Sequence, residues 1–261
     1  MKKLFAIILV AFICLCAFAA DNYQFARNIP YRNANEPMCN LDVAYLPGGA
    51  PKPVVVWLHG GGLTGGNKEV PEALLRDSLT VVGVEYRLSP SVSIDEIIDD
   101  AAAAVAWTMA NISKYNGNPQ KIFLSGHSAG GYLIDIVALD KSRLGKYGFD
   151  PDSLAGVVPF SGQCITHFEA RNRNGIPALQ PTIDELAPLY YVRGDCPPFL
   201  IISGDREKEL FGRYEEQAYF WRMLKLVGHK DVTLYELDGF DHGTMVAPGF
   251  LLLINFINTH I

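Results

Sequence analysis

Hydrophobic residues recur along this chain in two rhythms, one suited to strands and one to helices, and the two alternate. Residues 54–58, Val-Val-Val-Trp-Leu, form a continuous apolar run rich in β-branched side chains. Such a run fits a strand of a parallel sheet covered on both faces. Similar short runs stand at 79–84, 121–124, 154–158, 199–202 and 232–237. Between them the apolar positions move to helical spacing, at 94–114 with acids at its N-terminal end, at 132–139, and roughly at 210–227 and 247–258. Residues 41–46 alternate at period two and read as an edge strand, preceded by a polar, irregular leader over 21–38. The alternation predicts an α/β fold with a mostly parallel sheet and helices on both faces. Residues 164–182 break the rhythm. They carry Arg171, Asn172, Arg173, Asn174, Gly175, Pro177 and Pro181 with little periodicity, so a long loop of mobile or functional character is expected there.

Composition narrows the picture. The chain has 261 residues, 49% hydrophobic and 19% charged, which suits one domain with a sizeable core. Residues 1–20 stand apart from it. Lys2-Lys3 precede an apolar run, and Ala17-Phe18-Ala19 offers a small-x-small cleavage site, the pattern of a secretory signal peptide. The expected organisation is therefore a signal peptide over 1–20 and a single domain over 21–261, secreted or periplasmic, with no stable membrane insertion after cleavage. A lipid anchor on Cys14 or Cys16 fits less well, because the bulky Ile13 and Leu15 precede them. Without Lys2 and Lys3, 20 of the 22 basic side chains face 28 acidic ones, a net charge near −8. That disfavours nucleic acid and anionic membrane as partners. Cys39, Cys164 and Cys196 remain, an odd number without metal-ligand spacing.

In a sheet of this kind ligands gather beyond the carboxyl ends of the strands, and four such ends are informative. After 54–58 comes His59-Gly60-Gly61-Gly62. Its successive glycines can turn backbone amides toward a phosphate or a developing oxyanion. A phosphate loop would carry Gly-Lys-Ser or Gly-Lys-Thr, whereas Lys68 lies between Asn67 and Glu69. After 121–124 comes Gly126-His127-Ser128-Ala129-Gly130, a strand-turn-helix context in which small neighbours let Ser128 project from a strained turn. The amide of Ala129 can join the glycine amides. After 199–202 come Asp205 and Glu207, and after 232–237 come Asp241 and His242. A serine hydroxyl attacks only when a histidine takes its proton and a carboxylate holds that histidine. His242, in a short loop between the last strand and the last helix, is the expected base. His59 and His127 belong to the glycine motifs and are expected to fix loop geometry, while His229 and His260 look like surface positions. For the acid, Asp205, Glu207 and the weaker Asp241 all stay open on spacing.

These motifs resemble those of the α/β-hydrolase esterases, in particular hormone-sensitive-lipase-like carboxylesterases and bacterial acetyl-xylan or feruloyl-type esterases. The matching residues are His59-Gly60-Gly61-Gly62, Glu85-Tyr86-Arg87-Leu88-Ser89-Pro90, Gly126-His127-Ser128-Ala129-Gly130-Gly131, Pro197-Pro198-Phe199-Leu200 and Asp241-His242-Gly243. They span about residues 40–258. The resemblance implies Ser128 as nucleophile, His242 as base, and an oxyanion hole of Ala129 with two of Gly60, Gly61 and Gly62, here taken as Gly61 and Gly62. It favours Glu207 over Asp205 as the acid, three residues beyond Gly204, with glutamate where aspartate is usual. It implies a carboxylesterase acting through an acyl-enzyme, with no metal or organic cofactor, on a small-molecule or carbohydrate acyl ester such as an acetyl ester. Tyr86-Arg87-Leu88 would support the oxyanion loop. A serine peptidase of the same fold and a catalytically silent binding protein are the competing expectations.

Overall fold

The computed structural model describes residues 22–261 except 34 and 77. The expected signal peptide, residues 1–20, lies outside the described residues.

Eight strands form one sheet: β1 (Gln24–Pro30), β2 (Asn40–Tyr45), β3 (Lys52–Leu58), β4 (Thr80–Val84), β5 (Gly117–His127), β6 (Gly156–Phe160), β7 (Phe199–Gly204) and β8 (Val232–Leu237). Their spatial order is β1-β2-β4-β3-β5-β6-β7-β8. From β4 to β8 every pairing is parallel, while β1 and β2 join antiparallel at one edge. The α/β expectation therefore holds, with one correction at its start. The irregular leader contains β1, and 41–46 is the second strand rather than the edge. β1 is mostly exposed and interrupted between Ala26 and Ile29, with Asn28 at φ 54°. A bulged edge strand with no buried face leaves no period-two signal.

Helices α1 (Ile94–Asn111), α2 (Ala129–Leu139), α3 (Lys141–Gly145), α4 (Phe168–Arg173), α5 (Arg213–Leu226) and α6 (Val246–Thr259) cover the sheet. β3 shows how. Val54, Val56 and Leu58 pack into a core shared with Ile97, Ile98 and Ala101 of α1, Leu133 and Ile136 of α2 and Phe220 of α5. Val55 and Trp57 point the other way, into a second core with Phe250 and Leu253 of α6. Side chains alternate across a strand, so a run with no polar residue requires helices on both faces. α1 starts on a capping box, in which the Ser93 hydroxyl accepts from the Glu96 amide and the Glu96 carboxylate accepts from the Ser93 amide. Its buried Asp100 binds both Arg32 and Arg87, tying the chain before β2 to the loop after β4. Cys39, Cys164 and Cys196 are buried free thiols.

The irregular segment 164–182 is a correction in part, since α4 lies inside it. Arg171 is 2% exposed and donates to the Gln180 carbonyl at 2.5 Å. Arg173 donates to the Val92 carbonyl at 2.6 Å. The first bond closes the segment on itself, and the second ties it to the loop before α1.

Candidate active site

β5 stops at His127 and α2 starts at Ala129, leaving Ser128 alone on the turn at φ 54°, ψ −113°. A side chain seldom occupies that conformation, and tight contacts hold it. The Ser128 amide donates to the Phe160 carbonyl at 2.8 Å. A Cβ on Gly130 would stand 2.0 Å from the Leu58 carbonyl oxygen, and one on Gly126 would stand 2.7 Å from the Gly130 carbonyl carbon. The turn is therefore possible only with glycine on both sides of the serine's neighbours.

The glycine loop after β3 packs directly against this turn. A Cβ placed on Gly60 would lie 3.3 Å from the Ser128 Cβ. Gly61 and Gly62 adopt φ +121° and +65°, and a Cβ on Gly61 would stand 2.0 Å from the Gly65 carbonyl oxygen. No hydrogen bond among the described residues takes up the amides of Gly61, Gly62 or Ala129. His59 holds the base of the loop. Its ring stacks on Tyr86 with centroids 4.2 Å apart, its Nε2 meets Glu85 Oε1 at 3.0 Å, and the Tyr86 hydroxyl donates to the His59 carbonyl at 2.7 Å. Burial would raise the Glu85 carboxyl, but His59 and the Lys68 and Tyr86 amides outweigh it and bring it below the usual range.

His242 completes the contact from the other side of the sheet's carboxyl edge. Its Nε2 lies 2.9 Å from Ser128 Oγ, and its Nδ1 lies 2.8 Å from Glu209 Oε2. Glu209, and neither Glu207 nor Asp205, is the carboxylate against His242. The reason is a turn. The Asp205 carbonyl accepts from the amides of Lys208 and Glu209, both at 2.9 Å, so the chain folds back after β7 and brings residue 209 over Gly204, whose amide donates to Glu209 Oε1 at 3.0 Å. Glu207 is left exposed. Asp205 is spent on structure, accepting from the amides of Glu207 at 2.9 Å and Gly239 at 2.8 Å. That second bond links the β7 and β8 loops. Asp241 likewise accepts from the amides of Gly243 and Thr244 and shapes the loop that carries His242. The Glu209 side chain is 1% exposed. Burial alone would raise its carboxyl, but the hydrogen bond and charge of His242, helped by Ser161 and the Gly204 amide, outweigh it and hold it at about 2.

Two further residues close the site. His127 Nε2–H donates to the His242 carbonyl at 2.8 Å, and the two rings lie 4.7 Å apart. Burial first, then the neighbouring His242, pushes the His127 imidazole down to about 4, so it is neutral at pH 7. Ser161 places its Oγ 2.9 Å from His242 Nδ1. Nothing in the sequence reading pointed to Ser161, because the sixth strand was expected to end at 158 rather than at Phe160. Of the outlying histidines, His229 is buried rather than superficial, with its Nε2 3.0 Å from the Cys196 carbonyl. His260 meets Asp231 at 3.0 Å.

A family profile described as alpha/beta hydrolase fold matches residues 55–246, which hold the glycine loop, Ser128, Glu209 and His242. The chain belongs to the α/β-hydrolase fold family. Among curated relatives of this hydrolase, Esterase LipC of Mycobacterium tuberculosis is 27% identical over 76% of this chain and 55% of its own. A probable isoprenylcysteine alpha-carbonyl methylesterase, ICMEL1 of Arabidopsis thaliana, is 29% identical over 87% of this chain and 54% of its own. The chain thus spans about half the length of the curated relatives it matches. Among solved structures, a truncated carbohydrate esterase from gut microbiota superposes with a TM-score of 0.77 at 18% identity, covering 92% of this chain and 97% of that one. That likeness concerns the fold.

Proposed function

We propose that this hydrolase is a serine carboxylesterase that works through an acyl-enzyme. The observation that carries the reading is the continuous relay from Ser128 Oγ through both nitrogens of His242 to the buried Glu209, at 2.9 and 2.8 Å. In this reading Ser128 attacks the ester carbonyl while His242 Nε2 takes its proton. The amides of Gly61, Gly62 and Ala129 receive the oxyanion. His242 then gives the proton to the departing alkoxide, and water repeats the sequence to release the acid. Glu209 stays ionised throughout and offsets the charge of the imidazolium.

The acyl group is short in this reading, acetyl being the leading candidate. Support comes from Phe168, whose ring lies over the glycine loop, its Cζ 3.0 Å from where a Gly62 Cβ would stand. The alcohol is proposed to be a carbohydrate, and the chain to be exported on the strength of its Lys2-Lys3 and apolar leader. That relatives of this chain are named as an esterase and a probable methylesterase supports the reaction class. The experiment is turnover of p-nitrophenyl acetate and butyrate, and of acetylated oligosaccharides, by native protein and by Ser128→Ala. Native turnover that falls at least about 1,000-fold in the variant is expected. A native protein inert toward every acyl ester would end the esterase reading.

A further inference from the structure

Ser161 sits immediately beyond β6, completely buried, with φ +50°. Glycine occupies that region without penalty and a side chain does not, so a serine kept there invites a reason. The backbone is pinned from both sides. The Ser161 amide donates to the Ile202 carbonyl of β7 at 2.7 Å, and the buried guanidinium of Arg213 at the start of α5 donates to the Ser161 carbonyl. Glycine would satisfy both of these bonds equally well. Only the hydroxyl distinguishes serine, and the hydroxyl faces the relay. Its oxygen is 2.9 Å from His242 Nδ1, and the hydroxyl, as a hydrogen-bond donor beside Glu209, helps to lower that carboxyl.

We infer that Ser161 is a positioning residue of the relay, closing a three-membered ring of hydrogen bonds with His242 and Glu209. The His242 Nδ1–H has two acceptors, Glu209 Oε2 and Ser161 Oγ. The Ser161 O–H in turn donates to Glu209. Two consequences follow. The proton is held on Nδ1, which leaves the Nε2 lone pair aimed at Ser128 Oγ. The ring is also clamped against rotation from a rigid strand end, whereas Glu209 alone would hold it from a turn. This assignment rests on the esterase reading for its kinetic consequence, but its structural content does not.

The test compares Ser161→Gly with Ser161→Ala. Both remove the hydroxyl, and the glycine variant also relieves the backbone strain, so its melting temperature is expected to equal or exceed the native one. A hydroxyl that positions His242 predicts an about 10-fold fall in kcat for both variants with KM unchanged, the size expected for one bond within a charged pair. It also predicts that the downfield Nδ1–H resonance of His242, followed by NMR in histidine-labelled protein, broadens or vanishes in both. A Ser161→Gly protein with native kcat and a native Nδ1–H resonance would overturn the inference. Should the native protein turn over no ester, the esterase reading falls while the resonance still decides the role of Ser161.

Discussion

The two halves of the site are built on different physical terms. On one side the sharp turn that carries Ser128 between β5 and α2, the elbow, and the glycine loop meet backbone to backbone. Gly130 crosses the Leu58 carbonyl, Gly60 lies against Ser128, and Gly61 folds over Gly65. The contacts at Gly130 and Gly61 leave no room for a Cβ and so dictate glycine, while the one at Gly60 leaves room for a Cβ only at 3.1–3.3 Å from its neighbours. On the other side, the loops after β7 and β8 meet through side chains. Asp205 reaches the Gly239 amide, Glu209 reaches His242, and Ser161 reaches both members of that pair. Side-chain reach tolerates several spacings, and only a fold can say which of several carboxylates arrives. Geometry of the first kind is rigid and written in the sequence, and that of the second is adjustable and read from the structure.

The sharpest way to break this comparison is at the acid. Glu209→Gln keeps shape but loses the charge that balances the His242 imidazolium. It also lets the amide nitrogen face Nδ1, which selects the wrong tautomer. An about 1,000- to 10,000-fold loss of kcat is expected on that ground. Glu207→Gln, on an exposed side chain, is expected to leave turnover within about twofold, since surface substitutions away from such features change little. Steady-state kinetics on p-nitrophenyl acetate checks both. Comparable losses in the two variants would mean that the turn from Asp205 to Glu209 does not fix which carboxylate faces the base.

The same contrast explains how much was legible beforehand. All six parallel strands were visible as short runs, those from β3 to β7 because both of their faces are covered, whereas β8 is half exposed. Gly126-His127-Ser128-Ala129-Gly130 was visible because strand, turn and helix follow in order, and the positions of Ser128 and His242 could be named from chain order and loop context. The acid could not. Counting three residues past Gly204 assumes an extended departure from β7, whereas the Asp205 carbonyl starts a helical turn that adds two residues before the chain returns. A sign of it was present, since an aspartate directly after a strand favours a turn through its own side chain, and Asp205 does accept from the Glu207 amide. Ser161 was hidden by a two-residue error in the end of β6, and β1 by having no buried face.

The rigid half can be tested by filling one of its glycines. Gly130→Ala introduces a methyl 2.0 Å from the Leu58 carbonyl oxygen and 2.7 Å from that of His59. Neither neighbour is a flexible side-chain end, so the backbone of β3 or of the elbow must move. Overpacking of this kind is expected to cost about 3 kcal/mol or more, measured as the shift in chemical denaturation midpoint at constant slope. Gly148, with no atom within 4 Å of its Cβ but φ +81°, is the control. Alanine there adds only backbone strain, expected at about 1 kcal/mol. Equal costs at the two positions would show that crowding at the elbow is not what makes it rigid.

The smallest expected effect lies where the two halves touch, at His127. This elbow residue donates Nε2–H to the carbonyl of His242 and is held neutral, its imidazole lowered from the ordinary 6.5 to about 4 by burial and by His242. The unfolded chain therefore takes up a proton near 6.5 that the folded chain refuses until about 4. Stability from this group is complete above pH 6.5 and is lost as pH falls from 6.5 toward 4. With each unit worth about 1.4 kcal/mol and some allowance for solvent near the ring, the loss by pH 4 is about 2 kcal/mol. Glu209 adds a loss of the same sign only below about pH 4.5, where the unfolded carboxyl begins to take up a proton, and the loss runs down to its folded value of about 2. His127→Gln keeps a donor for the His242 carbonyl and removes the titration. Denaturation midpoints at pH 7.5 and pH 5 are expected to differ less in this variant than in the native protein. An unchanged difference would place the acid sensitivity elsewhere than the seam between elbow and base.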